Sequence, residues 1–135
     1  MILVDSSVWI DFFRGTLNRQ TEQLIQLLKG HRRETDVGVG DLVIYEVMRG
    51  FDKPNDRQRA RALLLDISVV DIGGLDNALL AAEHYSVLRQ KGYTMASPID
   101  VLLASYCITH GHNLLHRDAD FDVMQTLRGL RTWPH

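Results

Sequence analysis

With one cysteine in 135 residues, the chain has no means of forming an internal disulfide. Cys107 lies in an apolar, helix-like pattern and reads as a small buried hydrophobe. Long apolar runs are missing too: every one is interrupted well before the roughly 20 residues that a membrane-spanning helix needs. The opening residues lack the basic stretch, apolar run and cleavage site of a secretory leader, because Asp5 interrupts the apolar run at once. The cytoplasm is therefore the expected location. Neither sign of charge prevails. Fifteen Lys and Arg stand against 17 Asp and Glu, a net charge of −2, which argues against bulk electrostatic attraction to nucleic acid but not against a metal-mediated contact. Repeats, low-complexity tracts and linkers are absent. What remains is 45% hydrophobic and 24% charged residues in a length that suits one folded domain over residues 1–135.

Short apolar runs alternate with helical patterns along this chain. Ile2–Val4 reads as a buried strand, followed by a helix capped by Ser6 or Ser7 that runs through Phe13 and stops at Gly15. Trp9, Phe12 and Phe13 are assigned to the core. Residues 18–28 suit an amphipathic helix ended by Gly30, residues 31–36 a loop, and residues 37–39 a weak second strand. Asp41 is read as the N-cap of a helix over 42–49, and Pro54 opens another to Leu65 that carries Arg57, Arg59 and Arg61 on its solvent face. A third strand is expected over 67–72, a long helix over 75–91, and a helix from Ser97-Pro98 to about Thr109. Asn113–Leu115 reads as a fourth strand, 118–127 as a last helix and 130–132 as an edge strand. Strands alternating with helices imply an α/β domain whose parallel sheet lies between helical layers.

In such sheets ligands bind beyond the carboxyl ends of the strands, so the acids there matter most. Asp5 follows the first strand directly, and Asp118 follows the fourth by three residues. Glu46 in "LVIYEVM" and Asp100 in "SPIDVLLAS" occupy apolar helical contexts. Each has a structural reading. Asp5 and Asp118 suit helix caps, Ser97 to Asp100 matches a capping box, and Arg49 is available as a partner for Glu46. Four converging acids would repel one another unless a cation sat among them, and hard oxygen ligands select Mg²⁺ or Mn²⁺ over zinc. His110, His112 and His116 lack the spacing of a zinc site and read as loop and strand-end residues.

The segments "VDSSVWIDFF", "VIYEVMRG", "SPIDVLLASYCITHG" and "LLHRDADFD" together resemble the signature segments of PIN-domain ribonucleases, and among these the VapC toxins of bacterial toxin–antitoxin pairs. The likeness spans residues 3 to about 122. It implies a three-layer α/β/α domain with a central parallel sheet of four to five strands. It also implies a quartet of Asp5, Glu46, Asp100 and Asp118, with Asp120 as an alternative to Asp118. Asp5, Asp100 and Asp118 are then expected to hold Mg²⁺ or Mn²⁺, directly or through water. Glu46 is expected to join them, to orient the attacking water or to act as base. Ser7 is open between a hydrogen bond to this shell and plain helix capping. His116 departs from the Thr or Asn common at its position.

The activity implied is hydrolysis of RNA phosphodiesters to 5′-phosphate and 3′-hydroxyl ends, with Arg14, Arg49 and Arg117 near the motifs as phosphate contacts. A homodimer and a VapB-like antitoxin partner follow from the resemblance alone. The competing reading is a catalytically silent nucleic-acid-binding or regulatory module in which the same acids hold a structural cation. A dehalogenase-type phosphatase would need Asp-x-Asp after the first strand, where this chain has Asp5-Ser6-Ser7.

Overall fold

The computed structural model describes residues 1–30 and 36–134. Among these residues five short strands are interspersed with seven helices: β1 (Ile2–Val4), α1 (Ser6–Phe13), α2 (Arg19–Lys29), β2 (Val37–Gly40), α3 (Asp41–Met48), α4 (Pro54–Leu65), β3 (Ser68–Val70), α5 (Leu75–Gln90), α6 (Pro98–His110), β4 (Asn113–Leu115), α7 (Ala119–Arg128) and β5 (Arg131–Thr132). The strands form one parallel sheet in the order β3-β2-β1-β4-β5, flanked by the helices, which is the α/β/α architecture the sequence implied. The loop read at 31–36 falls, apart from Asp36, outside the described residues.

β1 is central and has no exposed residue, because Ile2, Leu3 and Val4 are covered on both faces. That is why it reads as an uninterrupted apolar triplet and not as an alternating strand. Its neighbours Val39, Leu114 and Leu115 are equally buried, and Trp9, Leu103, Phe121 and Met124 bring helices onto the sheet. Each such side chain contributes about 1.5–3 kcal/mol on leaving water. The outer strands β3 and β5 are short and partly exposed, which limits pairing with other chains. Cys107 is buried in this core, and burial pushes its thiol up to about 12, which keeps it unreactive. Left-handed Gly111 and Gly129 close α6 and α7, a conformation that favours glycine.

The chain moves outward from β1 to β2 and β3, then returns to place β4 on the other side of β1. This reversal makes the gap between the carboxyl ends of β1 and β4 the crevice where such sheets bind ligands. The register is set by Val4 opposite Leu115, and the Asp5 N–H donates to the Leu115 carbonyl at 3.0 Å. Whatever follows Val4 and Leu115 in sequence therefore meets at the same edge.

Three local expectations change. Asp5, not Ser6 or Ser7, is the N-cap of α1. Asp41 does not cap α3: Gly40 holds that position, and Asp41 lies in the first turn with its Oδ1 accepting from the Ile72 N–H at 2.9 Å. That bond also explains why β3 ends at Val70 and not at Ile72. The Ile72 amide goes to a side chain and not to the ladder. Asp41→Ala should leave this buried N–H unpaired and cost about 1–3 kcal/mol, with Asp41→Asn costing less. Chemical denaturation of the two variants checks the order, and equal stabilities would contradict it.

Candidate metal and phosphodiester site

Four acids reach the carboxyl edge of the sheet by four routes. Asp5 leaves β1 and caps α1, with its Oδ2 accepting from the Ser7 hydroxyl at 2.5 Å and the Ser7 N–H at 3.3 Å. Asp118 follows β4 and caps α7, with its Oδ1 accepting from the Asp120 N–H at 2.9 Å. Asp100 stands in the first turn of α6, where the Ser97 hydroxyl accepts from its N–H at 3.4 Å. Glu46 comes from α3, on the far side of β1 from β4. The helices α1, α3 and α7 each follow a strand, and α6 leads into one. All four acids therefore lie towards one end of the sheet.

Burial and mutual repulsion show the convergence. Asp5 is 3% exposed, and its carboxyl is held above the usual range by burial, against the pull of Ser7, the Ser6 amide and His116. Asp100 is pushed up to about 8, first by burial and then by the charges of Asp5, Glu46, Asp118 and Asp120. Glu46 is raised by burial and by Asp5, and opposed by a hydrogen bond from the Ser6 side chain and by Arg49. Asp5 Oδ1 and Glu46 Oε1 are buried without a hydrogen-bond partner. A buried carboxylate oxygen left unpaired is costly, so these two atoms ask for a cation or a donor.

A family model for the PIN domain matches residues 2–127. The chain belongs to the PIN-domain family. Among its relatives, a VapC ribonuclease of Mycobacterium bovis is 28% identical over 131 residues, covering 97% of this chain and 96% of that one. Ribonuclease VapC11 of Mycobacterium tuberculosis matches to the same extent. The fold is shared with VapBC2 of Rickettsia felis bound to a promoter DNA fragment, with a TM-score of 0.75, 18% identity and 98% and 97% of the two chains covered. It is also shared with Mycobacterium tuberculosis VapC20, a sarcin–ricin loop-cleaving toxin, with a TM-score of 0.68, 18% identity and 91% and 94% coverage.

Within this PIN domain the donor set fits a hard divalent cation: carboxylate oxygens, two of them orphaned, and a serine hydroxyl. Among the described residues no three His, Cys, Asp or Glu side chains are grouped closely enough to hold a metal ion as they stand. Mg²⁺ keeps several waters when a protein binds it, so one or two carboxylates can suffice.

Asp118 and Asp120 make different hydrogen bonds. Asp120 Oδ2 accepts from the Ala96 N–H at 3.2 Å, tying α7 to the segment before α6, and Asp118 ranks ahead of it among the charges acting on Asp100. Arg117 pairs with Asp11 at 2.9 Å, where the Asn18 amide also donates at 3.1 Å. Arg49 lies over the Tyr45 ring at 5.4 Å, and Arg14 is exposed at the end of α1. His110 and His112 stack beside Tyr106 before β4, while His116 lies beyond its other end, so the three do not form one group.

Sequence reasoning missed the attachment of Ser6 to Glu46 and the acceptor role of His116. Both depend on neighbours brought close by the fold. A Ser-Ser pair after a strand-end acid was the available signal for the first.

Because the folded-state values of Asp5, Glu46 and Asp100 are raised, the folded chain holds protons that the unfolded chain releases. Stability without divalent cation should thus fall as pH rises, for Asp100 across the window from about 3.8 to about 8. Thermal melts in chelator between pH 5.5 and 8 check this. Millimolar Mg²⁺ should flatten the decline.

Proposed function

We propose that this chain is a single-domain, metal-dependent endoribonuclease of the cytoplasm, acting as the toxin of a VapBC-type pair. The observation that carries the reading is the convergence of Asp5, Glu46, Asp100 and Asp118, with unpaired buried oxygens on Asp5 and Glu46. The VapC relatives and the likeness to toxin–antitoxin structures support the choice of RNA as substrate and of a VapB-like antitoxin as partner.

In this reading Asp5, Asp100 and Asp118 hold Mg²⁺ or Mn²⁺, with Asp120 bracing the Asp118 turn. When bound, the ion supplies an acidified water and offsets charge on the phosphoryl oxygens. Ser7 fixes which oxygen of Asp5 faces the crevice, because it occupies Oδ2 and leaves Oδ1 free. Glu46, oriented by Ser6, takes the proton of the attacking water or aligns that water. Arg14 and Arg49 are placed to meet flanking phosphates, whereas Arg117 acts by holding Asp11.

Two surfaces support the partner assignments. A groove of about 430 Å³ has Ile10, Phe13, Val47 and Phe51 at its base and Arg14 and Arg59 among its lining, which suits a short amphipathic antitoxin segment. On α5, Leu75 is 75% and Leu79 61% exposed one turn apart, a stripe suited to a second copy of the chain.

The deciding experiment compares RNA cleavage by wild type and Asp100→Asn in Mn²⁺ or Mg²⁺. Cleavage should fall at least about 100-fold, as for loss of one catalytic charge contact. The metal-free melting temperature should hold or rise, since the substitution removes repulsion. Full cleavage by Asp100→Asn would remove the mechanism, and RNA binding without turnover by wild type would favour the silent module. Leu79→Glu should shift sedimentation from dimer to monomer, and an unchanged dimer would place the interface elsewhere.

A further inference from the structure

His116 is the first residue after β4, as Asp5 is the first after β1, and follows the last paired position, Val4 opposite Leu115. Its Nδ1 accepts from the Asp118 N–H at 3.2 Å, two residues on. The Asp118 Oδ1 in turn accepts from the Asp120 N–H at 2.9 Å, and the Asp120 Oδ2 accepts from the Ala96 N–H at 3.2 Å. These bonds form a continuous chain from the end of β4 to the segment that leads into α6. The His116 ring packs on Phe121 at 5.0 Å, and its side chain is only 10% exposed, so the acceptor is held in place by packing. Its other nitrogen, Nε2, is 3.8 Å from the exposed Asp122 carboxylate, too long for a hydrogen bond.

An acceptor that bonds the N–H two residues later is the geometry of an Asx turn, ordinarily made by Asn or Asp. Here an imidazole makes the same turn. Accepting at Nδ1 fixes the tautomer, with the ring proton on Nε2.

We propose that His116 is a positioning residue: by accepting from the Asp118 N–H it sets the backbone turn that aims the Asp118 carboxylate at the cation. The inference rests on the reading of the acids as a metal site. Because Oδ1 is engaged by the Asp120 N–H, the direction of the remaining oxygen follows from that turn, and the turn follows from His116. The function is carried by the acceptor and not by the ring, so the two are separable by substitution. His116→Asn keeps an acceptor for the i+2 amide and discards the ring. His116→Phe keeps the ring on Phe121 and discards the acceptor.

Mn²⁺ binding to the purified full-length chain, read by titration calorimetry and by the electron paramagnetic resonance of free Mn²⁺, tests this without reference to turnover. His116→Phe should weaken Mn²⁺ binding by about 10- to 100-fold, the range for loss of a partner that orients a metal ligand. His116→Asn should stay within about threefold of wild type on the same ground. In cleavage assays the Phe variant should need correspondingly more Mn²⁺ while its KM for RNA at saturating Mn²⁺ is unchanged. Equal Mn²⁺ affinity in His116→Phe and wild type would overturn the proposal. So would an Asn variant that loses affinity tenfold, a result that decides the matter even if the Phe variant fails to fold. If wild type itself binds no Mn²⁺, the metal-site reading fails first and the inference with it.

Discussion

The pairing of β1 with β4 is the constraint on which the rest of this molecule depends. Val4 opposite Leu115, and the Asp5 amide on the Leu115 carbonyl, bring two strand ends more than 100 residues apart in sequence into register. A slip of one residue would turn every side chain of β1 to the other face of the sheet. It would also move Asp5 relative to His116 and Asp118. The core and the site are thus specified by the same backbone bonds, and a slip would draw the Asp5 carboxyl toward the apolar interior.

The acids work against the fold that gathers them. Burial and mutual repulsion raise the carboxyls of Asp5, Glu46 and Asp100, which means that their charged forms are disfavoured where they stand. The surrounding core offsets this, and so do hydrogen bonds made by the acids. Ser7 serves Asp5, Ser6 serves Glu46, and backbone amides serve Asp118 and Asp120. These partners satisfy some oxygens and leave others unpaired, Asp5 Oδ1 and Glu46 Oε1 among them. A gathering of buried acids is in this sense a local departure from the most stable sequence.

The sequence exposed what depends on local chemistry. Ile2–Val4, Pro54–Leu65 and Asn113–Leu115 emerged with their observed bounds because their apolar content, proline and flanking breaks act within a few residues. Glu46 and Asp100 were visible as acids in apolar company. What escaped notice was set by tertiary neighbours. Asp41 has the character of an N-cap, yet its carboxylate bonds an amide 31 residues away. Arg117 follows a motif histidine and suggested a phosphate contact, yet it pairs with Asp11 across 106 residues. His116 looked like a departure from a pattern until the Asp118 amide was seen on its ring nitrogen.

The central place of β1 also has a temporal side. During synthesis β1 can gain β2 on one flank early, but its other flank stays open until β4 has been made. Until then Asp5 has no Leu115 carbonyl to bond and no Asp118 beside it. A chain that carries Asp5, Glu46 and Asp100 still lacks Asp118, so the arrangement is complete only once residues 113–118 have been made.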